Sequence, residues 1–413
     1  MNSLQLDYIY KQRATALSAE ITFGAWLRVL AAPVASDGKD TVTAAGNSWG
    51  YGARAARLNV SGKSEDEKVG FNMGIYNDAL DPKIEDGDEA NLWVKPLDIV
   101  KVSYGYYDNN TLRGDLCYGS WNWLRPTSSW IAQDEGLLMT GLSGKAKGLL
   151  GEITPMDNLY IQVFAPIAKQ TKAEDTYKNI RAGFAYTIPG TAKIKAQYIG
   201  KGEAKTEAAA DYATSDFEQK VENGALVYKL KKDAKVATAK DSNSNCTLEA
   251  EVDVLAVENL FLGVGFQYNN LKDGDDNNAG DSKMKIALGA SYQVNEDLKV
   301  SASGAFFQFY GKDANKYDPR FQAGAGVDYN LGDGLSANAD VRYLSAEKKD
   351  GTKTDNSDHI AFSAGIQKGF SNGYIGVAFQ GQTNGGTFAN NVITAKEADK
   401  FVWAIPVALS VWF

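Results

Sequence analysis

The chain has 413 residues, with 41 Gly, 21 Tyr, 17 Phe and 8 Trp against only 9 Pro and 5 Met, and a net charge of −8. That charge argues against a non-specific nucleic-acid binder; one histidine and two cysteines leave no Cys/His zinc cluster, and a catalytic triad could be built only around His359. No run of about 18 apolar residues is present, so no transmembrane helix is expected, and the hydrophobic fraction of 44% must be distributed in some other way.

The opening stretch, 1–19, lacks the apolar centre of a secretory signal and reads as an N-terminal extension or incomplete export segment. From residue 20 onward apolar side chains recur at every second position in short segments. In 68–76, Val69, Phe71, Met73 and Ile75 alternate with Lys68, Gly70, Asn72 and Gly74; in 284–292, Met284, Ile286, Leu288, Ala290 and Tyr292 alternate with Lys285, Ala287, Gly289 and Ser291. A period of two marks strands with one apolar and one polar face. The expected strands are 20–31, 50–61, 67–77, 88–95, 97–106, 136–153, 158–166, 177–187, 190–199, 247–256, 259–269, 282–293, 297–310, 319–330, 335–346, 357–369, 372–381 and 399–413. That gives 18, with 16 as the alternative, since single-chain bacterial barrels have even numbers. Only the Ala/Glu-rich stretch around 203–222 has helical spacing, and 221–230 is read as part of a long loop, 200–246. Pro406 falls inside the last strand, where a bulge or a lost ladder bond is expected.

Short connections (62–66, 95–98, 154–158, 189–191, 257–259, 295–297, 331–334, 371–373) alternate with long ones, including 32–48, 107–135, 200–246 and 382–398. Tight turns on one side and large loops on the other are the layout of an all-β, antiparallel, up-and-down transmembrane barrel with short periplasmic turns and long outer loops. In the later segments one face is Leu, Ile, Val, Phe, Ala and Tyr, and the other is small and polar with scattered charges. A packed soluble core would turn the bulky face inward; a membrane barrel turns it toward lipid. Tyr268, Tyr292, Tyr329 and Tyr343 sit on the apolar parity at strand ends, as an interfacial aromatic girdle requires. Arg54, on the same parity, lies near the loop end of its strand, where its cost falls to about 0–1 kcal/mol.

Residues 401–413, FVWAIPVALSVWF, place Trp403, Ile405, Val407, Leu409, Val411 and Phe413 on one parity. A final amphipathic strand ending in Phe resembles the terminal assembly signal of Gram-negative outer-membrane proteins. The stretch 57–77, RLNVSGKSEDEKVGFNMGIYN, resembles the second strand, short turn and third strand of the general porin family. The resemblance implies residence in the outer membrane of a diderm bacterium, among its lipid and lipopolysaccharide, as a homotrimer. It also places segment 107–135 where that family folds its third loop into the pore.

A barrel of about 16–18 strands leaves an aqueous channel that needs narrowing for selectivity. Loop 107–135 is the candidate, with Arg113, Asp115, Tyr118, Trp121, Trp123, Arg125, Trp130, Asp134 and Glu135; its tryptophans either pin it to the inner wall or offer stacking surfaces for sugars. Basic residues on the lumen parity (Arg28, Arg57, Lys68, Lys101, Arg181, Lys193, Lys195) fall in the first nine strands, and an acidic row, Glu249, Glu251 and Asp253, follows on the next. Such arcs of charge set a transverse field that selects ions, unless Lys193 or Lys195 pairs with Glu249 or Glu251. Asp273, Asp275 and Asn277 have calcium-loop spacing, but Asn278 and Met284 replace the required Gly and Glu, so a solvated acidic tip is expected rather than a metal site. His359 reads as a rim residue, no cofactor motif is present, and pairing of Cys117 with Cys246 is left open. The expected function is not enzymatic: a passive, water-filled channel for small hydrophilic solutes and ions. A sugar- or carboxylate-specific channel and a surface adhesin anchored by its barrel are the alternatives.

Overall fold

The alternating segments become antiparallel staves. The computed structural model describes residues 19–46, 54–78, 84–114, 124–126, 137–167, 173–202, 217–222, 225–231, 244–269, 282–309, 317–388 and 393–413. The barrel strands are Glu20–Ser36 (β1), Arg54–Lys63 (β2), Val69–Asp78 (β3), Ile84–Leu97 (β4), Val100–Asn109 (β5), Leu142–Met156 (β6), Leu159–Ala165 (β7), Arg181–Ile188 (β8) and Ala192–Gly202 (β9). They continue with Ser244–Val254 (β10), Leu260–Tyr268 (β11), Ser282–Gln293 (β12), Leu298–Phe309 (β13), Arg320–Gly332 (β14), Leu335–Leu344 (β15), His359–Phe370 (β16), Gly373–Gln382 (β17) and the divided stave Val402–Ala404 and Val407–Trp412 (β18). Each pairs with its neighbours in the chain, and β18 closes on β1 from Trp26↔Trp412 to Ala31↔Val407, giving 18 staves among the described residues. Closure leaves the barrel no free edge, which a spanning sheet needs because hydrocarbon offers its backbone no hydrogen-bond partner.

The inside-out arrangement is plain in the burial. Phe23, Leu92, Phe321 and Val341 are exposed on the outer face, Phe23 by 68% and Leu92 by 70%. Polar and charged side chains are buried instead on the inner face, among them Gln162, Lys195, Gln197, Glu249, Glu251, Asp253, Gln322, Asp340, Arg342 and Gln380. A soluble sandwich would show the reverse. Tyr292 and Tyr329 stand at the short-turn rim, Tyr268 and Tyr343 at the long-loop rim. Tight turns at the short rim rest on residues that tolerate the left-handed region, including Asn259 (φ 61°), Asp333 (φ 51°) and Gly190 (φ 65°).

The structure corrects several boundaries. β1 runs on to Ser36: its lower half pairs with β2 and its upper half with a short strand, Thr41–Gly46, inside the first long connection. The strand expected at 136–153 begins only at Leu142, because residues 137–141 are bound to the inner wall instead. The stretch 221–230 is neither loop nor stave: Phe217–Glu222 and Ala225–Leu230 form a hairpin of their own. Residues 217–222 are therefore strand rather than helix, and the short helix lies at Ala173–Lys178. Pro406 divides β18; its carbonyl still accepts from the Ala378 N–H, while the Ile405 N–H turns to Val34. Among the described residues no helix is long and apolar enough to cross a membrane.

Candidate functional site

The inner wall of β1–β5 carries arginine and lysine side chains set against carboxylates and rings. Arg57 on β2 donates to Asp108 at 2.8 Å and to Glu89 at 3.3 Å, and its guanidinium lies 5.5 Å from the Tyr76 ring. Simple alternation would send Asp108 outward; a bulge between Tyr107 and Asn109 turns it into the lumen. The Arg28 guanidinium sits 4.5 Å over the Trp26 ring, which meets Tyr76 edge-on. Lys101 pairs with Glu152 at 3.0 Å, and Glu152 also accepts from Tyr160 at 2.8 Å and from Asn109 at 3.2 Å.

The second cluster lies on β8–β11. Register sets Lys195 opposite Glu251, Lys193 opposite Asp253 and Gln197 opposite Glu249. Lys195 pairs with Glu251 at 3.2 Å, both fully enclosed. Glu249 is a hub: it accepts from Gln197 at 2.5 Å, Gln267 at 2.7 Å, the Thr140 N–H at 2.8 Å and the Thr140 hydroxyl at 3.1 Å. A buried carboxylate with four such donors is well satisfied. Arg181 on β8 reaches the carbonyl of Gly141 at 3.5 Å.

What encloses these groups is the segment between β5 and β6. On its outgoing limb the Arg113 carbonyl accepts from Lys195 at 3.0 Å. The two limbs are joined by the Gly114 N–H donating to the Met139 carbonyl at 3.0 Å. On the return, Leu137 and Leu138 (φ 51° and 71°) pack with Ala287, Ala305, Phe261 and Phe307, all on the inner parity of β11–β13. Between the limbs, Leu124 packs with Leu30, Ala378 and Ala408. Arg125, 1% exposed, donates to Asp340 at 3.3 Å and to Asp328. Glycines on the wall make room for this segment. A Cβ at Gly265 would fall on the Leu137 carbonyl oxygen, and one at Gly376 on the Leu124 side chain.

Of the candidates read from sequence, Arg28, Arg57, Lys101, Arg181, Lys193, Lys195, Glu249, Glu251 and Asp253 stand on the strands described, and Arg113 and Arg125 on the described parts of the connecting segment. Asp115, Trp121 and Trp123 lie outside the described residues, as do Cys117, Tyr118, Trp130, Asp134, Glu135 and the acidic tip 273–281. His359 at the long-loop end of β16 faces the Thr383 carbonyl at 3.1 Å. Sequence reasoning missed Glu89, Asp108 and Glu152, and also Asp328, Asp340 and Arg342. The last two alternate on the small, polar parity of β15, so the signal was present. Asp108 gave none, because only the bulge brings it inward.

An apolar outer band, a charged and glycine-bearing inner wall and complete closure define a transmembrane β-barrel of the outer-membrane type. Residues 184–369 match the model of Porin_2, a porin subfamily. Solved structures share the architecture loosely. An anion-selective porin from Comamonas acidovorans is 11% identical, with a TM-score of 0.49, covering 96% of this chain and 100% of that one. A loop L8 deletion mutant of OmpT from Vibrio cholerae is 9% identical, with a TM-score of 0.44 and the same coverage. At such scores these likenesses bear on no property of the pore. No curated protein matches the sequence.

Proposed function

We propose that this protein is an outer-membrane porin: a passive, water-filled channel for small hydrophilic solutes and ions, constricted by the segment between β5 and β6. The observation that carries the reading is the double attachment of that segment: its two limbs meet β9–β13 while Leu124 and Arg125 meet β14, β15, β17, β18 and β1. A chain seated on two such groups of inner-wall strands divides the lumen, and 18 staves leave water beside it. Charge is largely paired along the wall (Arg57 with Asp108 and Glu89, Lys101 with Glu152, Lys195 with Glu251), so the transverse field is local and the overall ion preference small. We also infer a homotrimer seated in lipid and lipopolysaccharide, on the resemblance of 57–77 and the C-terminal strand to the general porins. Native mass analysis in mild detergent tests this.

Single-channel conductance of the refolded protein, with a size series of neutral sugars, tests the main reading. It expects stable ohmic channels with a sharp exclusion limit; insertion without conductance would favour an anchored surface protein. A second reading draws on the Trp26, Tyr76 and Arg28 group, which would suit a planar solute bearing a carboxylate. Saturable block of conductance by an aromatic carboxylate would support that version over general diffusion.

A further inference from the structure

Tryptophan in a membrane barrel belongs on the outer girdle, where its ring meets the lipid interface. Trp93 on β4 departs from that rule. Its neighbours Leu92 and Val94 are 70% and 43% exposed on the lipid face, so the ring between them turns into the lumen. Register places it between Gly70 on β3 and Ser103 on β5, close to the short-turn rim. Gly70 supplies the recess: a Cβ there would stand 2.3 Å from one ring carbon and 2.5 Å from another. The residue is only half-buried, so part of its ring stays open to the water of the lumen.

Two ammonium groups share this ring. The Nζ of Lys95 lies 5.6 Å and that of Lys101 5.8 Å from its centroid. Their charges are balanced differently. Lys101 is paired with Glu152 at 3.0 Å, whereas Lys95 has no carboxylate within ion-pair distance among the described residues. The acids of the neighbouring short turns are taken by other lysines: Asp98 pairs with Lys68, and Glu67 with Lys63 at 2.5 Å. A flat apolar surface and an ammonium without a counter-ion therefore lie side by side on a wall that water reaches.

We propose that Trp93, Lys95 and Lys101 form a binding station for aromatic carboxylates just inside the short-turn mouth of the pore. The open part of the indole takes the flat apolar face of the solute, and Lys95 takes its carboxylate. Lys101 adds to the local positive field while staying with Glu152. The inference rests on the channel reading, which puts water along this wall. The station is separate from the Trp26, Tyr76 and Arg28 group, because Gly70 and Tyr76 are six residues apart on β3, roughly 20 Å at the rise of a strand. An attractive site at one mouth raises the local concentration of such anions and favours their entry over neutral molecules of equal size.

The test uses the full-length protein in detergent micelles, with 5-fluorotryptophan in place of tryptophan. The fluorine resonance of Trp93 is the one lost in Trp93→Phe or, if that variant fails to assemble, the one moved by Lys95→Met. Benzoate is expected to shift it saturably, and benzamide and acetate to need about fivefold higher concentrations, the scale of a partly exposed ion pair or of a lost ring contact. Lys95→Met should weaken benzoate by the same factor and remove its advantage over benzamide, whereas Lys95→Arg should keep it. Rising ionic strength should erode that advantage in the wild type. In planar bilayers benzoate should lower single-channel conductance saturably, and Lys95→Met should raise the half-effective concentration in step with the resonance. A Trp93 resonance unmoved by benzoate, or moved at the same concentrations by benzamide, would overturn the station, as would Lys95→Met with wild-type affinity. Binding at Trp93 in a protein that never conducts would support the station and overturn the channel reading, so the two failures are distinguishable.

Discussion

Lys195 on β9 and Glu251 on β10 face each other in register, 3.2 Å apart and 1% and 0% exposed, and the same ammonium reaches the Arg113 carbonyl at 3.0 Å. A pair so enclosed is spent on holding the connecting segment and contributes little to the choice of ions. Lys195→Met should leave Glu251 as an uncompensated buried charge and destabilise the barrel by about 3–5 kcal/mol. Adding Glu251→Leu should recover most of that loss. Urea unfolding in detergent, followed by tryptophan fluorescence, measures both; equal stability of the two variants would contradict the account.

Glu249 ties the returning limb through Thr140. Glu249→Ala strands the Thr140 N–H and the Gln267 amide, at about 1–3 kcal/mol for each buried group left without a partner, while the Gln197 amide keeps its bond to the Thr140 carbonyl at 2.7 Å. Open-channel noise should rise because the limb is loosened, and Glu249→Gln, which keeps an acceptor, should be quieter than Glu249→Ala. Identical noise in all three proteins would count against the tie.

Gly265 is required by the close approach of the Leu137 backbone rather than by its own dihedral angles. Gly265→Leu should dislodge the returning limb and lower the unfolding midpoint. Gly304→Ala on the outer face, where the new Cβ would stand 3.6 Å from a carbonyl oxygen, should be tolerated. Parallel melting curves of the two variants make the comparison.

At the long-loop rim Asp37 accepts from the Asp40 N–H at 2.7 Å and the Lys39 N–H at 3.0 Å, and pairs with Lys396 at 3.0 Å. The Asp40 backbone bond above all, with the Lys396 contact and the Lys39 N–H, holds its carboxyl down at about 2. The folded value lies below the ordinary one near 3.8, so the stabilisation is complete above that ordinary value and disappears as pH falls through about 2. Nuclear magnetic resonance titration of the Asp37 carboxyl carbon should show that low midpoint, and Lys396→Ala should move it upward. A midpoint near the ordinary value in the wild type would remove the clasp from the account.

Strand number and facing were legible in the sequence because period two is a local property: Leu288 and Gly289 declare their sides without reference to any partner. Pairing between elements was not. Arg125 and Asp340 are 215 positions apart, and nothing in LRP or in ADVRY says that they meet. The inner-wall glycines looked only like small residues in strands, whereas Gly265 and Gly376 are the recesses in which the connecting segment lies. The hairpin around 217–230 escaped for a related reason: its partner strand lay upstream in a stretch whose Ala/Glu content suggested helix.

The most direct test of the central claim, that bulky apolar faces look out at hydrocarbon and small polar faces enclose water, is cysteine labelling during conductance recording. With the native cysteines replaced, Ser303→Cys on the inner parity of β13 and Leu288→Cys on the outer parity of β12 are exposed to a charged, membrane-impermeant thiosulfonate. The account predicts a stepwise fall in conductance for Ser303→Cys and none for Leu288→Cys. Block through Leu288→Cys with Ser303→Cys silent would contradict it.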